Sequence, residues 1–377
     1  MSASFTHHSD YSLINLVVDR RKVKSLTDAA VKAGANPVFI VNGRGILHKK
    51  KVAFITLPGI SPSMDNITLA VPKNKADKVI QELVAVGHLN HFGAGAIYES
   101  RIQNIWFRGQ APFKDAAVKK SAEPVQRAVL QSDLVLINCI CQRGHAEEIA
   151  RGAMAAGSPS PTIRFGYGHG IRDKLNFLLQ LAINPNKEII QVVVGSAEAD
   201  RVFEAMVVAG HLDHPAMGFI STHPVEKGLI NMISYQNTSP YPATMEQIIK
   251  AIDKLEGSTN WRNSGTVQAT RIKKRKMLLD LIDLVCIVKR GFGDACSIAA
   301  MEAGAGGTSI SYANAYPTPA QAAHVHAGSD EREMISLTLG KAQVEKVVKA
   351  IGSMPELKDS PVLMYTYPTR QAVTYLK

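Results

Sequence analysis

At 377 residues the chain is too long for one ordinary core, and a domain prior of about 100–200 residues divides it into two or three. With 46% hydrophobic and 20% charged residues it reads as globular, and no stretch approaches the roughly 18 apolar residues of a membrane helix. The start, MSASFTHHSDYS, lacks the features of a signal peptide, and four cysteines make no disulfide framework. The expectation is a cytoplasmic protein without membrane insertion. A net charge of +11 favours anionic partners. The basic runs His48–Lys51 and Arg271–Lys276 are not interleaved with aromatics that could stack bases, so they read as solvated faces and no nucleic acid is expected.

Residues 12–99 carry markers that recur farther along the chain at one fixed spacing. Arg20, Gly34, Gly43-Arg44-Gly45 and Gly87-His88-Leu89-Asn90-His91 precede Arg143, Gly157, Gly166-Tyr167-Gly168 and Gly210-His211-Leu212-Asp213-His214, each by 123 residues. Chance identities would not keep a common register. Residues 100–132 follow as a connector with a helix predicted over Lys114–Leu130.

The second segment, 133–222, gives the clearest element order. Leu134–Cys141 is an apolar, β-branched run and predicts a strand. His145–Ala156 spaces Ile149, Ala150, Ala153 and Met154 as a helix does, with Gly157 past its end. Thr162–Phe165 is a second strand ending in Gly166-Tyr167-Gly168, and Glu188–Val194 is a third. Ala197–Val208 is a second helix capped by Gly210, and Gly218–Thr222 a short fourth strand. A connector at 223–280 holds a capping box, Thr244-Met245-Glu246-Gln247, before the apolar stripe Ile248, Ile249, Ile252 and Leu255. In the third segment, 281–377, Cys286, Arg290-Gly291 and Gly304 lie 147 residues after Cys139, Arg143-Gly144 and Gly157; beyond the next strand the spacing becomes 145. The slip places a surface loop between the second and third strands. The expected fold is therefore α/β (α+β): three ferredoxin-like βαββαβ repeats. Their uncovered sheet faces would pack together as a pseudo-trimer.

The stretch Asn138–Gly157, then Pro161–Gly168, then Ile189–Val194 before a helix, resembles PII-type nitrogen regulatory proteins. The likeness extends over most of 12–99, 133–222 and 281–367. It implies signal transduction by homotrimer-like units that bind ATP or ADP between subunits, and in many members 2-oxoglutarate at the base of a mobile T-loop. The effector would be an adenine nucleotide or another small anion, no catalytic cofactor would be needed, and the output would be control of a partner protein, a transporter or an enzyme. Glycines let backbone N–H groups approach an anion, so Gly43, Arg44, Gly45, Gly166, Tyr167, Gly168 and His169 become candidate ligand contacts. Loops 46–66 and 169–187 would be the mobile ones. Lys187 matches the family's lysine at the T-loop base; Arg332 and Met64 hold that place in the other two segments. The third segment has Ala313-Asn314-Ala315 in place of Gly-x-Gly, and the family's phosphate-binding lysine segment is replaced by the two Gly-His-Leu strings. These departures keep a rival reading open, a scaffolding or self-assembling protein with degenerate sites.

Other constellations are weaker. His88/His91 and His211/His214 admit three readings: metal ligands, ligand contacts, or helix-end residues facing the negative end of the dipole. His88 and His211 are kept as candidate ligand contacts. His324 and His326 form a loop pair, and Cys139 and Cys286 read as small buried hydrophobes. No Walker loop, Gly-x-Ser-x-Gly elbow or His-Glu-x-x-His occurs, so no enzymatic activity is expected.

Overall fold

The first strand of each segment's ladder is buried along nearly its whole length, on both faces. In β2 (Tyr11–Asp19), Ile14 and Val18 share a core with Leu26 and Ala30 of α1 (Arg20–Ala33). Val17, on the other face, joins Ala96, Tyr98, Leu134, Leu136 and Val225, where the first and second segments meet. The computed structural model describes residues 5–46, 51–52, 55–56, 62–109, 111–114, 127–169, 185–232, 252–255, 257, 277–316 and 330–375.

The first segment opens with β1 (Thr6–His8), then β2, α1, β3 (Val38–Val41), the small pair β4 (Lys51–Val52) and β5 (Ile55–Thr56), β6 (Met64–Pro72), α2 (Lys73–Gly87), β7 (Gly95–Arg101) and β8 (Asn104–Arg108). The second runs β9 (Leu134–Gln142), α3 (Ala146–Ala155), β10 (Thr162–His169), β11 (Asn186–Gly195), α4 (Ser196–Gly210), β12 (Gly218–Asn231). The third runs β13 (Leu281–Lys289), α5 (Gly293–Glu302), β14 (Thr308–Tyr316), β15 (Glu331–Gly340), α6 (Val344–Gly352), β16 (Val362–Thr369), β17 (Gln371–Thr374). The chain is thus mixed α/β, and no helix among the described residues is long and apolar enough to cross a membrane.

The antiparallel ladders run β3-β6-β2-β7, β10-β11-β9-β12 and β14-β15-β13-β16. All strands but β4 and β5 belong to one 15-stranded sheet, because the segments pair with one another. Three second strands meet two by two. Arg44, just past β3, bridges to Ile163 of β10; Tyr167 of β10 pairs with Ile310 of β14; Asn314 of β14 pairs with Ile40 of β3. The later half of each strand thus joins the earlier half of the next, and the path closes into a barrel. The far edges interlock the same way: β8 pairs with β16, the later part of β12 with β7, and β17 with β12.

This pairing explains the glycines. Neither Gly43 nor Gly166 has a positive φ. A Cβ on Gly43 would lie 2.7 Å from the Met64 carbonyl oxygen and 3.2 Å from that of Ile163; on Gly166 it would lie 2.6 Å from the Ile310 oxygen. Backbones approach too closely for a side chain. The sequence reading ended the second strand before Gly166, but β10 runs through Gly166-Tyr167-Gly168 to His169, its free edge being occupied by β14.

Other boundaries moved for similar reasons. The fourth strand of the second segment extends to Asn231 instead of stopping at Thr222, because residues 225–231 pair with β7. The connector after residue 99 contains β8, which was not foreseen. Of the helix expected over Lys114–Leu130, residues 115–126 lie outside the described ones and 127–130 are not helical. The helix expected from Thr244 lies largely outside them too, with 252–255 helical. Also outside are residues 48–50, 271–276, His324 and His326, and most of the loops at 46–66 and 169–187.

Gly166→Val, which drives methyls into the Ile310 carbonyl, should destabilise the protein by about 1–3 kcal/mol, read as a lower urea midpoint. Gly306→Ala, whose Cβ would meet nothing within 4 Å, should leave the midpoint unchanged.

Candidate functional site

The junctions between second strands bring together the charged groups that an anion-binding role would use. At the first junction the backbones of Arg44 and Ile163 exchange two 2.8 Å hydrogen bonds. The Arg44 guanidinium donates to Glu147 Oε1 at 3.2 Å and to Glu188 Oε1 at 3.4 Å. Glu188 is only 4% exposed, and its other oxygen accepts from the backbone N–H groups of Gly144 (2.7 Å) and Ala146 (3.2 Å). Ala146 opens α3, so the carboxylate satisfies N–H groups that a helix start leaves without partners and faces the positive end of its dipole.

The second junction repeats this plan with other side chains. Glu333, buried at the start of β15, accepts from Gly291 N–H at 3.0 Å and Gly293 N–H at 2.6 Å, the latter opening α5. Tyr167 stands where the first junction has Arg44; burial, reinforced by the nearby Glu333 and Asp294, raises its phenol well above the usual range. His169 Nε2 lies 2.9 Å from Asp294 Oδ1. At the third junction Asp65 takes both 2.9 Å hydrogen bonds from Arg20, and the Tyr316 hydroxyl donates to Asp28 at 2.7 Å.

Two junctions also carry an arginine over an exposed aromatic ring. Arg143 lies 5.7 Å from the Phe165 centroid and Arg290 lies 5.0 Å from that of Tyr312, within cation–π reach. Phe165 and Tyr312 are 53% and 49% exposed. Each ring follows its arginine by 22 residues in sequence, and the corresponding place after Arg20 is held by Asn42.

The predicted site residues divide accordingly. Gly43 N–H reaches Asp65 Oδ1 at 3.3 Å, Arg44 N–H the Ile163 carbonyl, Gly45 N–H the Pro62 carbonyl and Gly168 N–H the Pro185 carbonyl. These N–H groups are committed to protein acceptors, so a phosphate nest of them would require strand pairing to open. Lys187 pairs with Gly166 across the ladder, and its side chain runs beside Gly168. His88 and His211 are the left-handed caps of α2 and α4, both at φ 49°, and each ring meets its partner histidine edge-on, with centroids 6.0 and 5.5 Å apart. Gly210, expected to cap its helix, is instead the last helical residue, as Gly87 is in α2, and a Cβ there would strike Ile149 and Leu26 respectively. Among the described residues no cluster of three His, Cys, Asp or Glu side chains could hold a metal.

The sequence reading missed the carboxylates Asp65, Glu188 and Glu333. They keep the same 123- and 145-residue spacing as the glycines, and each is an acid beside the third strand's apolar run. A buried Ser221–His223–Asp283 cluster was also missed. Both Ser221 Oγ (2.9 Å) and Asp283 Oδ2 (3.4 Å) address Nε2 of His223, while Nδ1 faces the Pro368 carbonyl at 3.2 Å. A nucleophile–base–acid relay uses opposite ring nitrogens, so this cluster has the wrong geometry for one.

No protein-family profile matches the chain, and no curated protein matches it. Among solved structures, PII of Arabidopsis thaliana bound to citrate is similar at 17% identity, covering 24% of this chain and 74% of that one, with a TM-score of 0.20. Aspartate kinase from Synechocystis is similar at 10% identity, covering 96% of this chain and 44% of the kinase, also with a TM-score of 0.20. The chain therefore spans less than half the kinase's length.

Two measurements probe the buried polar groups. Glu333→Ala leaves the buried Gly293 N–H without its acceptor, and about 1–3 kcal/mol should appear as a lower urea midpoint. Burial lowers the His223 pKa, against the opposing pull of Asp283 and the hydrogen bond to Pro368. The unfolded chain then binds the proton first, so the stability from keeping His223 neutral is complete above about pH 6.5. It is lost as pH falls from there through the lowered folded value. Between pH 7.5 and 5.5 the wild type should lose more stability than His223→Gln.

Proposed function

We propose that the chain is a PII-like regulator whose three βαββαβ units are repeats joined into one pseudo-trimer, and that it senses a small anion, foremost an adenine nucleotide, at the unit junctions. What carries the reading is the exposed Arg290–Tyr312 pair beside His169 and Asp294, contributed by two different segments. An exposed ring offers a purine a stacking surface, and the Arg290 guanidinium, which already donates to Glu331 Oε2 at 2.8 Å, offers phosphate its remaining N–H groups. Arg143 and Phe165 repeat the offer at the first junction. The cyclic pairing of second strands supports the pseudo-trimer, because each segment leaves the same edges for the next to fill. The net charge of +11 favours capture of an anion. Occupancy would be read by a partner protein, a transporter or enzyme, through segments adjoining the clefts, as order–disorder switches are.

The scaffolding alternative rests on one observation: the N–H groups of Gly43, Arg44, Gly45 and Gly168 already serve strand pairing and its flanks. On that reading the glycines maintain assembly, and the junctions bind nothing.

Calorimetric titration of the full chain with ATP, ADP and AMP distinguishes the two. A sensor gives saturable heat, and Arg290→Ala combined with Tyr312→Ala weakens one class of site about tenfold to a hundredfold, the worth of a lost base stack. Folded protein silent toward all three nucleotides would overturn the sensor and leave the scaffold.

A further inference from the structure

The inner faces of the three segments surround a cavity of about 50 Å³, apart from the junction clefts. Arg164 of β10 reaches its wall, together with Tyr98 of β7, Tyr365 and Tyr367 of β16, Asn66 of β6 and Gln191 of β11. Arg164 keeps part of its surface accessible, but its surroundings are those of an enclosed group, so that surface is cavity wall. Its Nε has no hydrogen-bond partner among the described residues. Among the described residues, the ionisable groups acting on the guanidinium are the phenols of Tyr367, Tyr98 and Tyr365.

Those phenols do not neutralise it. Burial pushes Tyr98 up to about 12, and Tyr365 and Tyr367 are likewise raised. At neutral pH all three are uncharged O–H groups able to donate. Arginine does not give up its proton in proteins. The interior therefore holds a full positive charge whose polar neighbours on the cavity wall are neutral phenols, hydroxyls and amides. Burying such a charge without a counter-ion costs several kcal/mol even after relaxation, and buried charges in proteins are normally paired. The charge is single: the places matching Arg164 in the other segments, at the same 123- and 147-residue spacing, are Val41 and Ser311.

We infer that this cavity is an anion site, in which a small monovalent anion of the chloride, nitrate or formate class sits on the Arg164 guanidinium. Phenol O–H groups of the wall complete its coordination. The volume bounds the occupant. One water needs about 10–15 Å³ of such space, so the cavity takes an anion of a few heavy atoms and excludes a nucleotide. Its amide lining, where Asn66 Nδ2 donates to Gln191 Oε1 at 3.1 Å, is suited to a polar guest. The site is independent of the junction clefts and stands whether or not they bind nucleotide.

Crystals of the full chain grown in bromide test it directly, because bromide replaces chloride and scatters anomalously. The expected result is an anomalous peak in the cavity beside Arg164. In solution, the melting temperature at constant ionic strength should rise by roughly a few degrees as chloride, nitrate or formate replaces gluconate. Arg164→Met should abolish that rise. A cavity without a bromide peak, occupied by water alone, overturns the proposal; so does an equal anion response in wild type and variant. If Arg164→Met does not fold, the bromide experiment on the wild-type chain still decides.

Discussion

The unsatisfied edge of the second strand is the constraint on which the rest of this architecture depends. A strand at a sheet edge presents a row of backbone donors and acceptors that must find partners. Here β3, β10 and β14 each divide that edge between two neighbours. β8, the end of β12, and β17 serve the opposite edges. No four-stranded ladder is complete without a strand from elsewhere in the chain. The short side-chain-free approaches at Gly43 and Gly166, the buried carboxylates at Glu188 and Glu333, and the enclosed interior all result from bringing three ladders this close.

Local order was readable from sequence because it rests on local physics. The apolar run at Leu134–Cys141, the helical spacing at Ile149–Met154 and the glycine past α3 each specify an element with little outside help, and Gly157 does adopt a positive φ of 102°. What failed was whatever depended on a distant partner. Nothing in Val225–Asn231 says that the strand continues; β7, more than a hundred residues earlier, holds it extended. Nothing in Asn104–Arg108 says strand until β16 is beside it. The candidate site divided on the same line. Gly-x-Gly was found by its spacing, but the cause of its first glycine, a carbonyl under 3 Å from a hypothetical Cβ on Gly43 or Gly166, exists only in three dimensions. Asp65, Glu188 and Glu333 kept the spacing as faithfully and were missed because an acid at the start of an apolar run reads as a solvated strand end.

The junctions share a backbone and differ in chemistry. Arg44, Tyr167 and Asn314 occupy corresponding places, yet one is an ion-pairing cation, one a phenol between two carboxylates, and one an amide. Backbone pairing is indifferent to these side chains because they project away from the hydrogen bonds that close the barrel. The scaffold therefore tolerates different occupants at each junction while holding the same distances.

In the interior, corresponding positions of the three segments lie on one continuous chain and are free to differ. Asn15 opposes Tyr98, Asn138 opposes Ser221 and Val285 opposes Tyr365, so three matching places on the inner wall carry a phenol, a hydroxymethyl group and a second phenol. Three identical subunits could not do this. Every residue near the axis would appear in triplicate, and one buried guanidinium would become three mutually repelling ones. Covalent continuity removes that multiplication: a codon change alters one wall of the chamber and leaves the other two as they were. Arg164 stands opposite no copy of itself, since the places at the same spacing are Val41 and Ser311.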